Sequence, residues 1–446
     1  MFSNKMKWFD TSNWLVLSLI LSIFGFLKEI RPSEPFIYEF LIGEWRNLTE
    51  EQVNQEVYPV GTYSYLGLLV IVFLITDICR YKPLIVCLGL SGIVVWSMLL
   101  WTNSLVELQI LEFFYGAFAA CEVAYFTYIY AKVDKEYYQQ VTSHTRAAIL
   151  AGRSISGILG QILISFRWMD YRQLNYITFT AMIAATLWCL FLPPVTKSIY
   201  FHQDSTGQLL LKDKTKAAFR LMWRHLRSAY SSVYIIKWSL WWSLATCGFI
   251  QVQVYMQPLW VAIVNDPNQP VYNGAVESIL TVLGFLGALA AGVLKVDWTT
   301  RGELALTCCS LLQGFMLLIA SQAEQIIASY ICYVAFGALY HLTITVASSE
   351  IAKMIDEDSY GLVFGLNTFF ALLFQTILTM VVVTSGIGFA LPPKKQYFVY
   401  GVLHVILGFM YIIIGLVCWM KSKRDYRRAS TVPEPPSRTV GTLGVL

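Results

Sequence analysis

The chain has 446 residues, of which 57% are hydrophobic and only 13% charged, with a mean hydropathy of +0.57. Soluble domains carry roughly 45–50% apolar and about 25% charged residues, so this composition excludes a soluble enzyme, a disordered regulator and a nucleic-acid binder. The formal net charge of +4 is too small to be a basic binding face, and its meaning depends on where the charges lie.

A bilayer core about 30 Å thick needs about 20 apolar residues per helix. That window predicts twelve spans, near 9–30, 59–78, 84–101, 107–131, 143–166, 173–192, 233–262, 273–294, 302–320, 325–352, 361–386 and 397–420. The apolar runs lack the alternation of barrel strands, so the expected fold is all-α and integral to the lipid bilayer. The first segment is long, ends in Lys28-Glu29-Ile30-Arg31 and has no small-residue cleavage site, so it is read as span one rather than a leader. Lys5, Lys7, Arg80, Lys82, Lys132, Lys135, Lys295, Arg301 and Lys353 cluster on one side, which places that side and both termini in the cytoplasm.

In chain order, the first informative stretch is the acidic loop 31–58, expected to face out. Arg31-Pro32-Ser33-Glu34-Pro35-Phe36 opens it, and two prolines there end the helix and free backbone at the mouth. Glu34 is therefore a site or gate residue, or else a solvated helix end. Asn47-Leu48-Thr49 is a glycosylation sequon on the same outer side. The loop after span two carries Asp77, Arg80 and Lys82, and Lys295, Asp297 and Arg301 echo it after span eight. These are readable as an inner-face ion-pair latch or as topology plus a solvated acid. Trp96 in span three is a stacking face or a core residue.

Span four is the most informative. Glu122 lies near mid-depth among apolar residues, Tyr115 seven residues earlier shares its face, and Glu112 sits one turn further out. An ionisable group in a span is costly and marks function by default. Two carboxylates and a phenol on one stripe suit a cation, through charge and a cation–π face. The plainer reading pairs Glu122 with a base such as Arg153 of span five. Gly152, Ser156 and Gly160 in that span, and Gly284, Ala288 and Gly292 in span eight, are spaced for close helix packing.

The basic segment 193–232 opens with Pro193-Pro194, and six spans precede and follow it. This arrangement, a bundle over 1–192, a cytoplasmic linker over 193–232 and a second bundle over 233–420, is that of major facilitator transporters. Lys237 at the start of span seven is expected to snorkel. Asn273 and Glu277 open span eight, while His341 and Gln375 lie deeper in spans ten and eleven; each is a site residue or a satisfied interhelical polar group. Gln375 aligns with Gln161 in a faint internal repeat. The tail 421–446 is basic, then rich in Pro and Ser, and is expected to be disordered.

Enzyme signatures are absent: the five His are scattered, and there is no HExxH, GxSxG or phosphate loop. The nine Cys fall in spans or at their inner edges, so neither a disulfide framework nor a metal site is expected.

The motifs RPSEPF (31–36), YPVGTYSYL (58–66), TD-x-x-RYKP (76–83), LEFFYG (111–116), FTYIY (126–130), WSLWW (238–242), YNGAVE (272–277), GELAL (302–306) and LVFGLNTFFA (362–371) span both halves. In them the chain resembles the reduced folate carrier and thiamine transporter family, solute carrier family 19. The resemblance implies a twelve-helix major facilitator that carries a water-soluble vitamin by alternating access, without ATP or a cofactor. Folate carriers have Arg at the position of Glu122 and Lys at that of Gln375; thiamine transporters have Glu and Gln, as here. In the latter, residues matching Glu34, Trp96, Glu112, Tyr115, Glu122 and Asn273 surround the vitamin. Two departures stand out: thiamine transporters have Trp where this chain has Gly61, and Tyr where it has Arg153. The expectation is a monomeric thiamine importer of the plasma membrane. The alternatives are a reduced-folate carrier using Arg153 as an anion clamp, or a receptor that binds a vitamin without moving it.

Overall fold

The computed structural model describes residues 14–195, 211–264, 269–293, 296–356 and 359–430. Lys5, Lys7, Lys295, the first part of the linker and the tail beyond Ser430 lie outside the described residues. No strand occurs among those described. The helices are α1 (Trp14–Lys28), α2 (Ile37–Ile42), α3 (Tyr58–Ile78), α4 (Lys82–Trp101), α5 (Leu105–Lys132), α6 (Tyr138–Ser165), α7 (Tyr171–Cys189), α8 (Leu211–Ala229), α9 (Val233–Ile263), α10 (Asn273–Val293), α11 (Trp298–Gln322), α12 (Ile326–Ala352), α13 (Tyr360–Val382) and α14 (Pro393–Ser430).

Ten of these are long and apolar enough to cross a bilayer. Of the other two expected spans, α1 has 15 described residues, fewer than a full crossing needs. The other, α7, is 19 residues long and opens with polar side chains. Both pack in the first bundle, α1 against α6 and α7, and α7 against α4.

Local chemistry sets where the chain turns. Pro59 and Pro83 sit in the first turns of α3 and α4, where a missing N–H costs nothing. Ser104 with Glu107, and Asp170 with Gln173, form reciprocal capping boxes at the starts of α5 and α7.

Two elements differ from expectation. The linker contains α8, with exposed Lys216, Arg220, Arg224 and Arg227 along one face and exposed Phe219 and Trp223 beside them. Its apolar residues recur at helical spacing, but too few are consecutive to register as a span. At the other end, α14 runs on to Ser430 through residues expected to be disordered from Lys421, because Lys and Arg are good helix formers and the next proline is Pro433.

The buried apolar side chains form two clusters. One is built from α1 to α7 around Leu21, Phe24, Ile85 and Tyr125. The other is built from α9 to α14 around Trp241, Tyr255, Phe336 and Tyr400. The halves meet where α6 packs on α10 and α3 on α13. At the first seam the backbones nearly touch: a β-carbon on Gly274 would lie 2.6 Å from the Gly157 carbonyl, and one on Gly157 would lie 2.6 Å from that of Gly274. The stripe Gly152, Ser156, Gly160 faces the other way, onto the carbonyls of Phe26 and Pro32. Small residues thus let α6 approach a neighbour on two sides.

Candidate functional site

The chain leaves α1 at Lys28 and cannot continue as a helix, because Pro32 and Pro35 lie ahead. It bends through the single turn Glu34–Phe36 into α2. The bend is pinned from three sides. Arg31 N–H donates to Ser156 Oγ at 2.7 Å, Ser33 Oγ lies 3.0 Å from Thr178 Oγ1, and the Trp96 indole donates to Ser33 Oγ at 3.4 Å. This turns Lys28, Glu29 and Arg31 inward.

Lys28 Nζ donates to Glu29 Oε1 at 2.6 Å and to Glu122 Oε1 at 2.5 Å. Glu29 Oε2 accepts from Arg31 at 2.7 Å and from Arg153 Nε at 3.1 Å. Arg31 reaches on to Glu34 Oε1 at 2.9 Å, where the Tyr115 hydroxyl also donates, at 3.1 Å. Burial is graded across this network. The side chains of Lys28 and Glu29 are only 2% and 1% exposed, whereas those of Glu122, Glu34 and Arg153 are 33%, 40% and 38% exposed. The protein side is sealed, and the other side opens onto accessible space. Lys28, Arg31 and Arg153 balance Glu29, Glu34 and Glu122, so the paired set is neutral.

Glu112 stands apart from this balance. Among the described residues its carboxylate has no hydrogen-bond or ion-pair partner, and it is half-buried. It packs against Gly61, where any β-carbon would collide with its Oε2. Gly61 is thus the space that Glu112 uses. When ionised, Glu112 gives the cluster one uncompensated negative charge.

The structure brings Glu34, Trp96, Tyr115, Glu122 and Arg153 into one neighbourhood with this turn, and Glu112 lies one helical turn from Tyr115 on α5. Two sequence expectations change. Glu122 pairs with Lys28, and Arg153 pairs with Glu29. Lys28, Glu29 and Arg31 had read as ordinary charges at a helix end; their role was illegible because interfacial charges and inward-turned ones look alike in sequence. Asn273 is fully buried, and its amide donates to Pro35 O (3.1 Å) and Glu39 Oε1 (2.6 Å) while accepting from the Tyr330 hydroxyl (2.8 Å). It joins the two halves. Glu277 accepts from the Tyr333 hydroxyl at 2.7 Å.

Elsewhere, Asp77 accepts from the Tyr81 hydroxyl at 2.7 Å, Lys82 donates to the Leu190 carbonyl at 2.8 Å, and Arg80 is exposed in a left-handed turn (φ 58°). Lys237 forms an ion pair with Glu303 inside the second bundle rather than snorkelling, since that acid lies within reach on α11. His341 meets the Phe249 ring edge-on at 5.3 Å, and Gln375 is buried. Asn47 is exposed at the tip of the 31–57 loop with φ 52°. Among the described residues no group of three His, Cys, Asp or Glu could hold a metal ion.

A set of hydrogen bonds ties the halves together at the end bearing the 31–57 loop. Gln257 accepts from Tyr38 N–H and donates to Glu34 O, both at 2.9 Å. Gln161 donates to Val271 O at 3.0 Å and accepts from Ala275 N–H at 3.2 Å. Tyr63 and Thr384 hydroxyls lie 2.7 Å apart.

Glu39 belongs to this clasp, and burial pushes its carboxyl up to about 7, its bond to Asn273 offsetting only part of that rise. An acid raised on folding is held best when protonated, so its contribution is present below the ordinary carboxylate range and is lost as pH rises through about 7. The melting temperature should therefore fall between about pH 5 and pH 7.5, and Glu39→Gln should remove part of that fall. Parallel pH profiles for wild type and variant would sink this assignment.

The family model described as reduced folate carrier matches residues 12–399. Thiamine transporter 1 of Mus musculus is 37% identical, over 94% of this chain and 93% of that protein. Folate-like transporter 3 of Caenorhabditis elegans is also 37% identical, over 90% and 96% respectively. The solved structure of the POT family transporter PepTSo superposes with a TM-score of 0.68 at 11% identity, covering 92% of this chain and 99% of that one. That likeness concerns the fold, which is the major facilitator fold.

Proposed function

The chain belongs to the reduced folate carrier family, and on that premise we propose that this multi-pass membrane transporter imports thiamine across the plasma membrane by alternating access. The observation that carries the substrate assignment is Glu112. It is a half-buried carboxylate without a counter-ion among the described residues, beside a network in which Lys28, Arg31 and Arg153 balance Glu29, Glu34 and Glu122. Keeping such a group ionised is costly, and a thiazolium cation supplies the missing charge. Tyr115 and Glu34, hydrogen-bonded to each other, offer a ring and a second carboxylate next to it. The relative named thiamine transporter 1 supports the same reading.

In this reading the Gln257, Asn273, Gln161 and Tyr63 bonds close the outer end and must break when the site opens outward. Asp77, Arg80 and Lys82 form the inner gate. Both termini are cytoplasmic, the chain works as a monomer, and Asn47 carries a glycan outside.

The second reading is a reduced-folate carrier. It is favoured by Arg153, whose side chain is 38% exposed, and opposed by its bond to Glu29. Uptake of radiolabelled thiamine and reduced folate, measured side by side in cells expressing the chain, separates the two. Saturable thiamine uptake is the expected result. Saturable folate uptake alone overturns it, and binding without counterflow in proteoliposomes would indicate a receptor.

A further inference from the structure

We propose that Lys28 is a tethered counter-cation that occupies Glu122 when the site is empty, so that a cationic substrate competes with it and Glu112, rather than Glu122, is the substrate's main charge partner. The inference rests on the cation-carrying reading above and assigns a specificity role to a residue outside the expected site.

Three observations carry it. First, the Lys28–Glu122 pair is asymmetric. The ammonium comes from the sealed side, with 2% of its side chain exposed, and the carboxylate is 33% exposed. A ligand in the accessible space meets a Glu122 already neutralised from behind. Second, Lys28 has somewhere else to go. It is shared between Glu122 and Glu29, so it can leave Glu122 without becoming an unpaired buried charge. Third, Glu29 also holds Arg31 and Arg153, which fixes one of the two ends between which the ammonium moves. The Tyr125 ring, 5.9 Å from Lys28 Nζ, lies alongside that path.

Lys28 therefore sets both affinity and charge selectivity. While it holds Glu122, the paired charges of the cluster cancel, and Glu112 is the carboxylate on α5 without a partner among the described residues. Removing the ammonium adds a second free carboxylate, which should tighten cation binding and repel anions.

The test uses the purified full chain in proteoliposomes, with radiolabelled thiamine as the probe and melting temperature as a second readout. Wild type is compared with Lys28→Met, Lys28→Gln, Glu122→Gln and the Lys28→Met/Glu122→Gln double variant. Loss of a charge close to the bound cation should lower the apparent KM of both Lys28 variants on the order of tenfold. Glu122→Gln should melt below wild type, because Lys28 then shares one carboxylate with two arginines. The double variant, with charge balance restored, should recover both melting temperature and KM. An unchanged or raised KM in a Lys28 variant of wild-type stability overturns the proposal. Melting losses that simply add in the double variant also overturn it, since uncoupled residues behave that way. If wild type takes up no thiamine, the substrate assignment fails, and the melting cycle, which needs no substrate, alone decides whether Lys28 and Glu122 are coupled.

Discussion

On the proposed function, Glu112→Gln is expected to lower thiamine uptake on the order of 100-fold, the effect of removing one partner from a desolvated charge pair worth about 3 kcal/mol. The same variant should express and melt like wild type. The two outcomes belong together. The Glu112 carboxylate has no partner among the described residues, so Gln leaves no protein group stranded. Gln also keeps the shape that fits beside Gly61. What disappears is a negative charge on α5 that no cation balances among the described residues. Concentration-dependent uptake, normalised to protein at the cell surface, gives the first number, and melting of the purified protein gives the second. Uptake near wild type would show that the cation does not pair there. A large drop in melting temperature would show instead that Glu112 holds the fold.

Glu29→Gln gives the largest expected loss of stability, about 3–5 kcal/mol, typical of breaking a buried ion pair from one side. The Glu29 side chain is 1% exposed and touches Lys28, Arg31 and Arg153. A neutral amide there leaves three cations facing two carboxylates, Glu34 and Glu122, in a poorly hydrated turn. Gln can still accept hydrogen bonds, but it cannot offset the charge. Thermal melting in detergent reads the loss directly, and a variant melting with wild type would mean that the network does not hold the bend after α1. A second consequence concerns selectivity. With Glu29 neutral, the Arg153 guanidinium loses its internal anion, so inhibition of thiamine uptake by reduced folate should strengthen. This would trace the tolerance of Arg153 beside a cation site to a carboxylate within the same chain.

The two variants separate the roles of neighbouring acids. Glu112 has no partner among the described residues and is expected to matter for substrate; Glu29 has three and is expected to matter for the fold. Glu122 lies between, with one internal partner and a partly open face.

Much of this architecture is legible in the amino-acid order, because the bilayer imposes a simple rule. A span must be long, apolar and helical, since lipid offers no partner for free backbone groups. The spans read near 59–78, 233–262 and 325–352 therefore fall within a residue or so of α3, α9 and α12. Charges buried inside such a segment also announce themselves, as Glu112 and Glu122 do, because nothing but function or pairing justifies their cost. The 19-residue α8 was missed for the converse reason: it is half polar, and such a helix is set by what it packs on.

Which charges meet was decided by tertiary structure alone. Spacing along α5 places Tyr115 and Glu122 on one face, because helical geometry is local and periodic. Nothing local reveals that the chain folds back after Lys28 and sends Lys28, Glu29 and Arg31 inward, or that Arg153 on α6 reaches Glu29 instead of Glu122. Coulomb interactions depend on distance through space and on burial, and both are set by how six helices pack around a bend made by two prolines. Composition and periodicity determined a membrane-embedded helical protein with acids on one stripe; only packing decided that Glu122 is already paired with Lys28 and that Glu112 has no partner among the described residues.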